Sequence, residues 1–464
     1  MAIPCSTSKN YRVLGLLLCM LIGMMGCKPD NKETTQPGTP SISPKDRPAL
    51  RIVAIDVGFV SELEVRWKSF SEQPITIESI GSEQLSGRAT DSSDVLIYPG
   101  RLLGDLVQLD WIIPLPSAAA GKLYETGAES TVGTGIVSEL WPARWRSVSR
   151  FGGKTWALPL GAPQLAILSR KISLEPLTKL DSDIGTTQDR TNLAAIAWKE
   201  LLLATRNSEE ATANFQSSLS SLSDKQKDAL VDRFLFIAST TNAKRRGLFD
   251  LTNLQSRLAT PDFVLAADIL AQLCERFPDV MLAEHADGWN RVLQSESAAM
   301  TIGIASQKEA VGDIQNQIQI GTVVFNPAIG LLASVGKRTR QTAVASQLIA
   351  WLSDAEQRGA FSAVDPGVER WPGQPGGSSQ DDNRLYKNLN NRDARVEPLN
   401  LTIRFAHERR YRNLLADALV GILRDPESSR DRLTECSQLW GRLTEEIGLV
   451  QQRPNIEQSM GFSQ

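Results

Sequence analysis

The sequence predicts an α/β protein whose sheets are mostly parallel and flanked by helices. Near residue 50, apolar runs typical of buried strands alternate with segments whose apolar residues recur at helical spacing. This alternation favours a mostly parallel sheet with helices packed on its faces. From Ala49 to Gln464 the chain is long enough for two domains of typical size and a large buried core.

Three strands are predicted between residues 50 and 100, and a helix with Leu63, Trp67 and Phe70 on one face separates the first two. The strand segments are LRIVAIDVG (50–58), PITIESI (74–80) and SSDVLIYPG (92–100). In such sheets ligands bind at the carboxyl ends of the strands. This rule places Phe59, Tyr98 and Arg101 near any binding site.

The rest of the chain contains more helix than strand. Residues 192–310 are predicted to be mainly helical, and TAVASQLIAWLS has the apolar stripe of an amphipathic helix. A loop rich in glycine and proline, residues 364–380, precedes a final helical region. The other predicted elements are a helix in GDLVQLDWIIPLP (104–116) that ends in an extended segment stopped by proline, an extended segment TWALPLGAP (155–163) and a strand in NPAIGLLASVGK (326–337).

The sequence FGGKT at 151–155 contains the end of a phosphate-binding loop motif without its beginning. That motif requires a glycine five residues before the second glycine, and this position is Val148. The Lys-Thr pair should also begin a helix, whereas Pro159 and Pro163 favour extended chain here. The segment is therefore not predicted to bind a nucleotide.

The N-terminal residues have the pattern of a bacterial lipoprotein signal. Lys9 and Arg12 precede an apolar run from Val13 to Met25, which is shorter than the roughly 20 residues that span a bilayer. Gly26-Cys27 resembles the lipobox, although Met24 replaces its usual leucine. The resemblance implies a signal peptide at 1–26, lipidation of Cys27 and attachment to the membrane outside the cytoplasm. An ordinary secreted protein cut elsewhere is the alternative.

The composition indicates which segments fold and which kinds of partner the chain is expected to bind. Residues 27–48 are rich in proline and poor in aliphatic side chains, so they predict a flexible tether. The formal charge of -3 gives no electrostatic reason to expect nucleic acid. Cys274 and Cys436 lie in apolar helical stripes and are interpreted as buried thiols, while a disulfide between them stays open.

Several segments, in order, resemble the extracellular solute-binding proteins of ABC importers, the large family that includes maltose and other sugar receptors. The similar segments extend over most of the chain from about residue 50. They are GDLVQLDWIIPLP, GGKTWALPLGAPQLAILSRK, SESAAMTIGIAS, QTAVASQLIAWLSDAEQ, LFDLTNLQSRLATPDFVLAADIL and TEEIGLVQQRPNIEQSMGF. No single motif is highly specific, whereas their order is.

The resemblance implies two lobes joined by a hinge, each a mostly parallel sheet flanked by helices. Lobe one would comprise 49–159 and 326–365, and lobe two 162–325 and 366–464. The chain would be a monomer without cofactor or metal, capturing a carbohydrate-like solute between the lobes and delivering it to ABC permease subunits. The expected ligand-binding residues are Phe59, Tyr98, Arg101, Gly161, Ala162, Thr301, Trp371 and Arg404.

Departures from the family pattern keep two other functions open. Ser169 and Ile304 replace residues that are commonly aromatic, which favours a different solute or a scaffold or signalling lipoprotein without transport. A carbohydrate-active hydrolase is a further alternative, because paired carboxylates are enough for that chemistry. Against an enzyme, the chain has only two histidines, His285 and His407, and no His-Glu-x-x-His or Cys-x-x-Cys motif.

The spacing of the basic residues and of the tryptophans indicates which of them face a cleft. An anionic sugar is one ligand that the basic run from Arg404 to Arg412 would suit, but its spacing favours a solvated helix face with Arg404 as the exception. Helical tryptophans are predicted to be core, and those in loops or at element ends are candidates for a cleft. The first set is Trp67, Trp198, Trp351 and Trp440, and the second is Trp141, Trp145, Trp156, Trp289 and Trp371.

Overall fold

The computed structural model describes eleven stretches of the chain. These are residues 48–87, 92–115, 148–161, 163–170, 172–177, 187–204, 215–241, 247–294, 300–304, 318–368 and 401–459. Cys27, Ala162, Trp371, the predicted signal peptide and nearly all of the predicted tether lie outside them, so these predictions remain predictions.

Strands and helices alternate at the start of the described chain, as the sequence predicts. The strands are β1 (Leu50–Ile55), β2 (Ile75–Ile80), β3 (Val95–Pro99), β4 (Arg150–Phe151), β5 (Lys154–Thr155), β6 (Leu158–Pro159), β7 (Gln164–Arg170), β8 (Met300–Ile304), β9 (Ile318–Phe325) and β10 (Leu331–Val335). The helices are α1 (Val60–Phe70), α2 (Leu103–Gln108), α3 (Thr187–Ala204), α4 (Phe215–Ser220), α5 (Asp224–Thr240), α6 (Pro261–Arg276), α7 (Pro278–Met281), α8 (His285–Gln294), α9 (Thr342–Leu352), α10 (Ala355–Phe361), α11 (Glu408–Arg424), α12 (Ser429–Ile447) and α13 (Leu449–Ser459).

The first sheet has the strand order β2-β1-β3-β10-β6. β1 pairs in parallel with β2 and β3, as the alternation of strand and helix predicts. β10 is antiparallel to β3 and β6, because it carries the chain back from the second sheet. The carboxyl ends of β1 and β3 therefore lie at the same edge of this sheet.

The second sheet, in the order β8-β7-β9, differs from the predicted parallel arrangement. Within the described strands, β7 is antiparallel to both of its neighbours. The reason is the path of the chain between the sheets. β7 leads away from the first sheet and β9 leads back to it, so Gln164 at the start of β7 pairs with Phe325 at the end of β9.

Close backbone contacts hold the two crossings between the sheets together. The Leu160 N–H donates to the Leu331 carbonyl (2.8 Å), and the Asn326 N–H donates to the Pro163 carbonyl (3.1 Å). A Cβ on Gly330 would lie 2.3 Å from the Gly161 carbonyl oxygen, so only glycine allows this approach. The predicted extended segment at 155–163 is thus a short β6 followed by a crossing.

Two separate clusters of buried apolar side chains form the interior. One includes β1, β3, β10 and α9, and the other includes β7, β8, α5, α6, α11 and α12. We call the described residues around the first cluster (48–160 and 326–368) lobe one, and those around the second (163–325 and 401–459) lobe two.

The four tryptophans predicted as core are buried. Trp289, predicted as a cleft candidate, is also 1% exposed and packs in the second cluster, because α8 turns its apolar face inward. Cys274 and Cys436 are buried free thiols, so no disulfide joins them. Among the described helices, none is long and apolar enough to cross a membrane.

Candidate functional site

The lobes face each other at the carboxyl edge of the first sheet. At the end of β1, Asp56 takes a left-handed backbone conformation (φ 53°), which Asp tolerates better than most residues. This turn directs its carboxylate to the Ser82 N–H (3.2 Å) and to Arg101 Nη2 (2.7 Å). Arg101 follows β3 and is fixed on the lobe-one side by this ion pair.

Arg101 extends from lobe one towards two carboxylates of lobe two. Its Nη2 is 3.9 Å from Asp228 Oδ2, and its Nε is 3.6 Å from Glu408 Oε1. Both distances exceed a hydrogen bond, so these are electrostatic contacts without direct proton sharing. The Arg101 side chain is 17% exposed, which leaves it accessible from the space between the lobes.

The region between the lobes where Arg101, Asp228 and Glu408 meet is called the seam. Glu408, the first residue of α11, is enclosed there. Its side chain is 1% exposed, and Oε2 accepts no hydrogen bond. Burial raises the pKa of Glu408 to about 8, an effect that Asp105 and Asp228 strengthen and that Arg101 and Arg412 oppose. Burial thus favours the protonated form of this carboxyl.

Arg412, one helical turn beyond Glu408, ties α11 to α5. Its Nε lies 3.1 Å from Asp228 Oδ1 and its Nη1 lies 3.1 Å from Asp232 Oδ1. Burial alone would lower the pKa of Arg412, but the carboxylates of Asp232 and Asp228 raise it overall. The guanidinium stays charged inside the protein.

The buried carboxylate of Asp232 links this cluster to the crossings. It accepts a hydrogen bond from Asn326 Nδ2 (3.1 Å) and contacts His285 Nε2 (3.2 Å). Burial opposes ionisation of Asp232, yet Arg412 and His285 hold its pKa below the ordinary value. Burial lowers the pKa of His285. Because Asp232 and His285 are enclosed by these contacts, they form a structural cluster rather than an accessible catalytic pair.

Further polar contacts join the lobes at the rim of the seam. Arg409 donates to Ser82 Oγ in lobe one and lies 3.3 Å from Asp224 in its own lobe. The His407 N–H donates to Asp105 Oδ1 (2.6 Å). Burial raises the pKa of Asp105 to about 6 despite that hydrogen bond.

A polar pocket of about 110 Å³ opens beside this network, lined by Asp224, Lys227, Asp228, Arg409, Asn413, Ala416 and Asp417. Pockets that enclose small ligands measure roughly 300–1,000 Å³. All of its lining residues belong to lobe two, on α5 and α11, and its volume suits a few water molecules rather than a sugar. Within the described residues, no cluster of His, Cys, Asp and Glu is arranged to hold a metal ion.

The predicted ligand-binding residues are distributed unevenly around the seam. Arg101 lies in it, and Gly161 lies at a crossing. Phe59 is fully buried and stacks on Phe361 at 4.4 Å, while the Tyr98 hydroxyl pairs with Ser334 (2.7 Å) inside lobe one. Their side chains pack in the interior in this conformation.

Thr301 and Arg404 also have internal partners. Thr301 Oγ1 donates to the Val280 carbonyl (3.4 Å), and Arg404 donates to the carbonyls of Gly100 and Val148. Burial lowers the pKa of Arg404 to about 10. Arg404, which lies just before α11, thus connects that part of the chain to lobe one through backbone carbonyl oxygens. Contact of Thr301 or Arg404 with a solute stays a prediction.

Sequence reasoning missed Asp228, Glu408 and Arg412. The prediction of a solvated basic face is wrong for Arg412, whose side chain is 3% exposed. A signal was present: 408 and 412 continue, at helical spacing, the buried stripe through Tyr411 and Leu415. Charges inside such a stripe indicate buried pairing.

Solved structures share this architecture over most of the chain. A solute-binding protein of an ABC transporter from Agrobacterium radiobacter, in complex with ribitol, superimposes with a TM-score of 0.60, 13% identity and coverage of 86% of this chain and 100% of that one. The sugar-binding protein MalE of Xanthomonas citri superimposes with a TM-score of 0.56 and 14% identity, and the match covers 87% of this chain and 100% of that one. A maltose-bound MalE protein of T. maritima superimposes with a TM-score of 0.52 and 13% identity, and the match covers 85% of this chain and 99% of that one.

The chain has the two-lobed fold of periplasmic solute-binding proteins. The predicted two-lobed α/β fold is thereby confirmed, apart from the antiparallel second sheet, and at this level of identity the likeness extends to the fold alone. No protein-family model matches the chain, and neither does any curated protein. The seam of Arg101, Asp228 and Glu408 lies between the two lobes of this fold.

Proposed function

We propose that the chain is an extracytoplasmic solute-binding protein that captures a carbohydrate-like solute between its lobes. The supporting observation is the two-lobed fold, whose similar structures include proteins bound to ribitol and maltose. The residues at the seam suit a solute rich in hydroxyl groups. Arg101 and Arg409 supply donors and Asp56 and Asp228 supply acceptors, and a hydroxyl group can satisfy both.

The finer parts of the proposal come from the sequence. Lipidation of Cys27 would hold the chain at the membrane outside the cytoplasm, and delivery to ABC permease subunits would follow capture. We propose the lobe boundaries predicted from the sequence, with 49–159 and 326–365 in lobe one and 162–325 and 366–464 in lobe two. The lobes would close on the solute, which must bind the closed form more tightly than the open one.

A thermal-shift screen against ribitol, mannitol, maltose and acidic saccharides tests this function. A solute that binds only the folded chain raises its melting temperature, by an amount that depends on its concentration relative to Kd. We expect at least one such shift, and we expect Arg101→Gln to reduce it. Arg410→Gln, which changes an exposed arginine paired with Glu446, is the matched control and should leave the shift unchanged. Trp371→Ala tests the predicted aromatic contact in the same assay.

A scaffold or signalling lipoprotein without transport is the second candidate. The observation that favours it is the seam itself, where the side chains of Arg101, Asp228 and Glu408 occupy the space between the lobes. No shift with any solute in the panel would favour this candidate over the receptor. Saccharide cleavage in the same samples would instead favour the hydrolase.

A further inference from the structure

Glu408 lies between charged groups from both lobes. Arg101 and Asp105 face it from lobe one, after β3 and on α2, while Asp228 on α5 and Arg412 on its own helix face it from lobe two. The two arginine nitrogens stand 3.6 Å from Oε1 and 3.9 Å from Oε2. The carboxyl thus has charged neighbours on every side but no close donor.

An ionised carboxylate in this position would be costly. It would be removed from water, it would make no direct hydrogen bond through Oε2, and it would face the carboxylates of Asp105 and Asp228. A protonated carboxyl avoids the desolvation of a charge and the repulsion. The enclosure of Glu408 and the missing hydrogen bond to Oε2 therefore favour the neutral form, against the attraction of the two arginines.

We propose that Glu408 is a proton-controlled latch between the lobes: the protonated carboxyl is buried at the seam, and release of its proton to solvent drives the lobes apart. Two of its four charged neighbours belong to lobe one, so separation of the lobes would admit water to the carboxyl. The inference rests on the proposed function, because it assigns a control by pH to the same site.

The sign of the effect follows from linkage. The closed form holds the proton up to a pH of about 8, whereas a solvated glutamate has an ordinary pKa of 4.5. Between these values closure takes up a proton from solvent, so closure becomes less favourable as the pH rises. Asp105, whose pKa is raised to about 6, acts in the same direction over a lower range.

Small-angle X-ray scattering of the purified chain, without any solute and at constant salt, tests the latch. We expect the radius of gyration to increase as the pH rises from 5 to 9, and to return when the pH is lowered. Glu408→Gln keeps the shape of the protonated side chain without its titration. This variant should stay compact at both pH values.

Two further variants complete the test. Glu446→Gln removes an exposed glutamate of α12 that pairs with Arg410, and it should expand like the wild type. Asp105→Asn retains an acceptor for the His407 N–H but removes a charge that opposes ionised Glu408, so it should expand less at pH 9.

Three results would overturn the latch: a wild-type chain of constant dimensions, expansion of Glu408→Gln equal to the wild type, or expansion of Asp105→Asn equal to the wild type. If Glu408→Gln does not fold, the wild type and Asp105→Asn decide. Failure of this test leaves solute binding standing, and an absence of solute binding leaves the latch standing, because no solute is present here.

Discussion

The charges at the seam are organised around one arginine. Arg412 contacts both Asp228 and Asp232, and Asp232 in turn contacts Asn326 at a crossing between the lobes. Removing one partner of a buried ion pair leaves an uncompensated charge inside the protein, which costs about 3–5 kcal/mol. Arg412 therefore stabilises lobe two by keeping these carboxylates paired.

We expect Arg412→Met to lower the free energy of unfolding by about 3 kcal/mol, at the low end of that range because His285 and Asn326 remain beside Asp232. Urea denaturation followed by circular dichroism measures this change. Arg410→Met is the matched control two positions away, since Arg410 forms an exposed pair with Glu446 and should change stability little. Equal effects of the two variants would show that Arg412 is not a buried structural charge.

The crossings between the lobes depend on close backbone approach. At Gly330 a Cβ would lie 2.3 Å from the Gly161 oxygen and 3.2 Å from Pro163 Cδ, and the nearest of these atoms belongs to the backbone and cannot move aside freely. The helix α12 provides a contrast, because a Cβ on Gly441 meets no atom within 4 Å. Glycine is therefore required by close packing at Gly330, whereas the space around Gly441 would accept a larger side chain.

We expect Gly330→Ala to destabilise the chain by about 1–3 kcal/mol, the usual cost of forcing extra atoms into a packed site. Gly441→Ala should instead raise stability by about 0.5–1 kcal/mol, because alanine favours helix over glycine. Thermal unfolding of the two variants checks both signs. A neutral Gly330→Ala would mean that the crossings are not closely packed.

Elements with a regular apolar pattern could be predicted from the sequence, as β1, β3, β10 and α9 illustrate. The antiparallel second sheet could not, because strand direction in it depends on how β9 returns the chain to lobe one. Arg101 was placed at the seam by the rule for strand ends, whereas Glu408 was hidden in a run of charged residues. Its closest charged neighbour across the seam is Arg101, which is distant along the chain.

At the scale of the whole molecule, two apolar cores are joined by short crossings, and polar contacts connect the lobes where they face each other. Arg101 with Glu408, Arg409 with Ser82 and the His407 N–H with Asp105 all connect residues of different lobes. A receptor needs lobes that can separate and close again, and polar contacts exchange for water more readily than an apolar interface does. The described contacts across the seam are polar, as such a receptor requires.

The most direct test of solute capture at the seam is hydrogen–deuterium exchange with and without a solute from the thermal-shift screen. The first N–H groups of α5 and α11 lack partners within their helices and exchange readily unless something covers them. We expect the solute to slow exchange on both sides of the seam, at 56–59 and 82–87 in lobe one and at 224–228 and 408–412 in lobe two. Protection confined to one lobe, or located away from these segments, would contradict capture between the lobes.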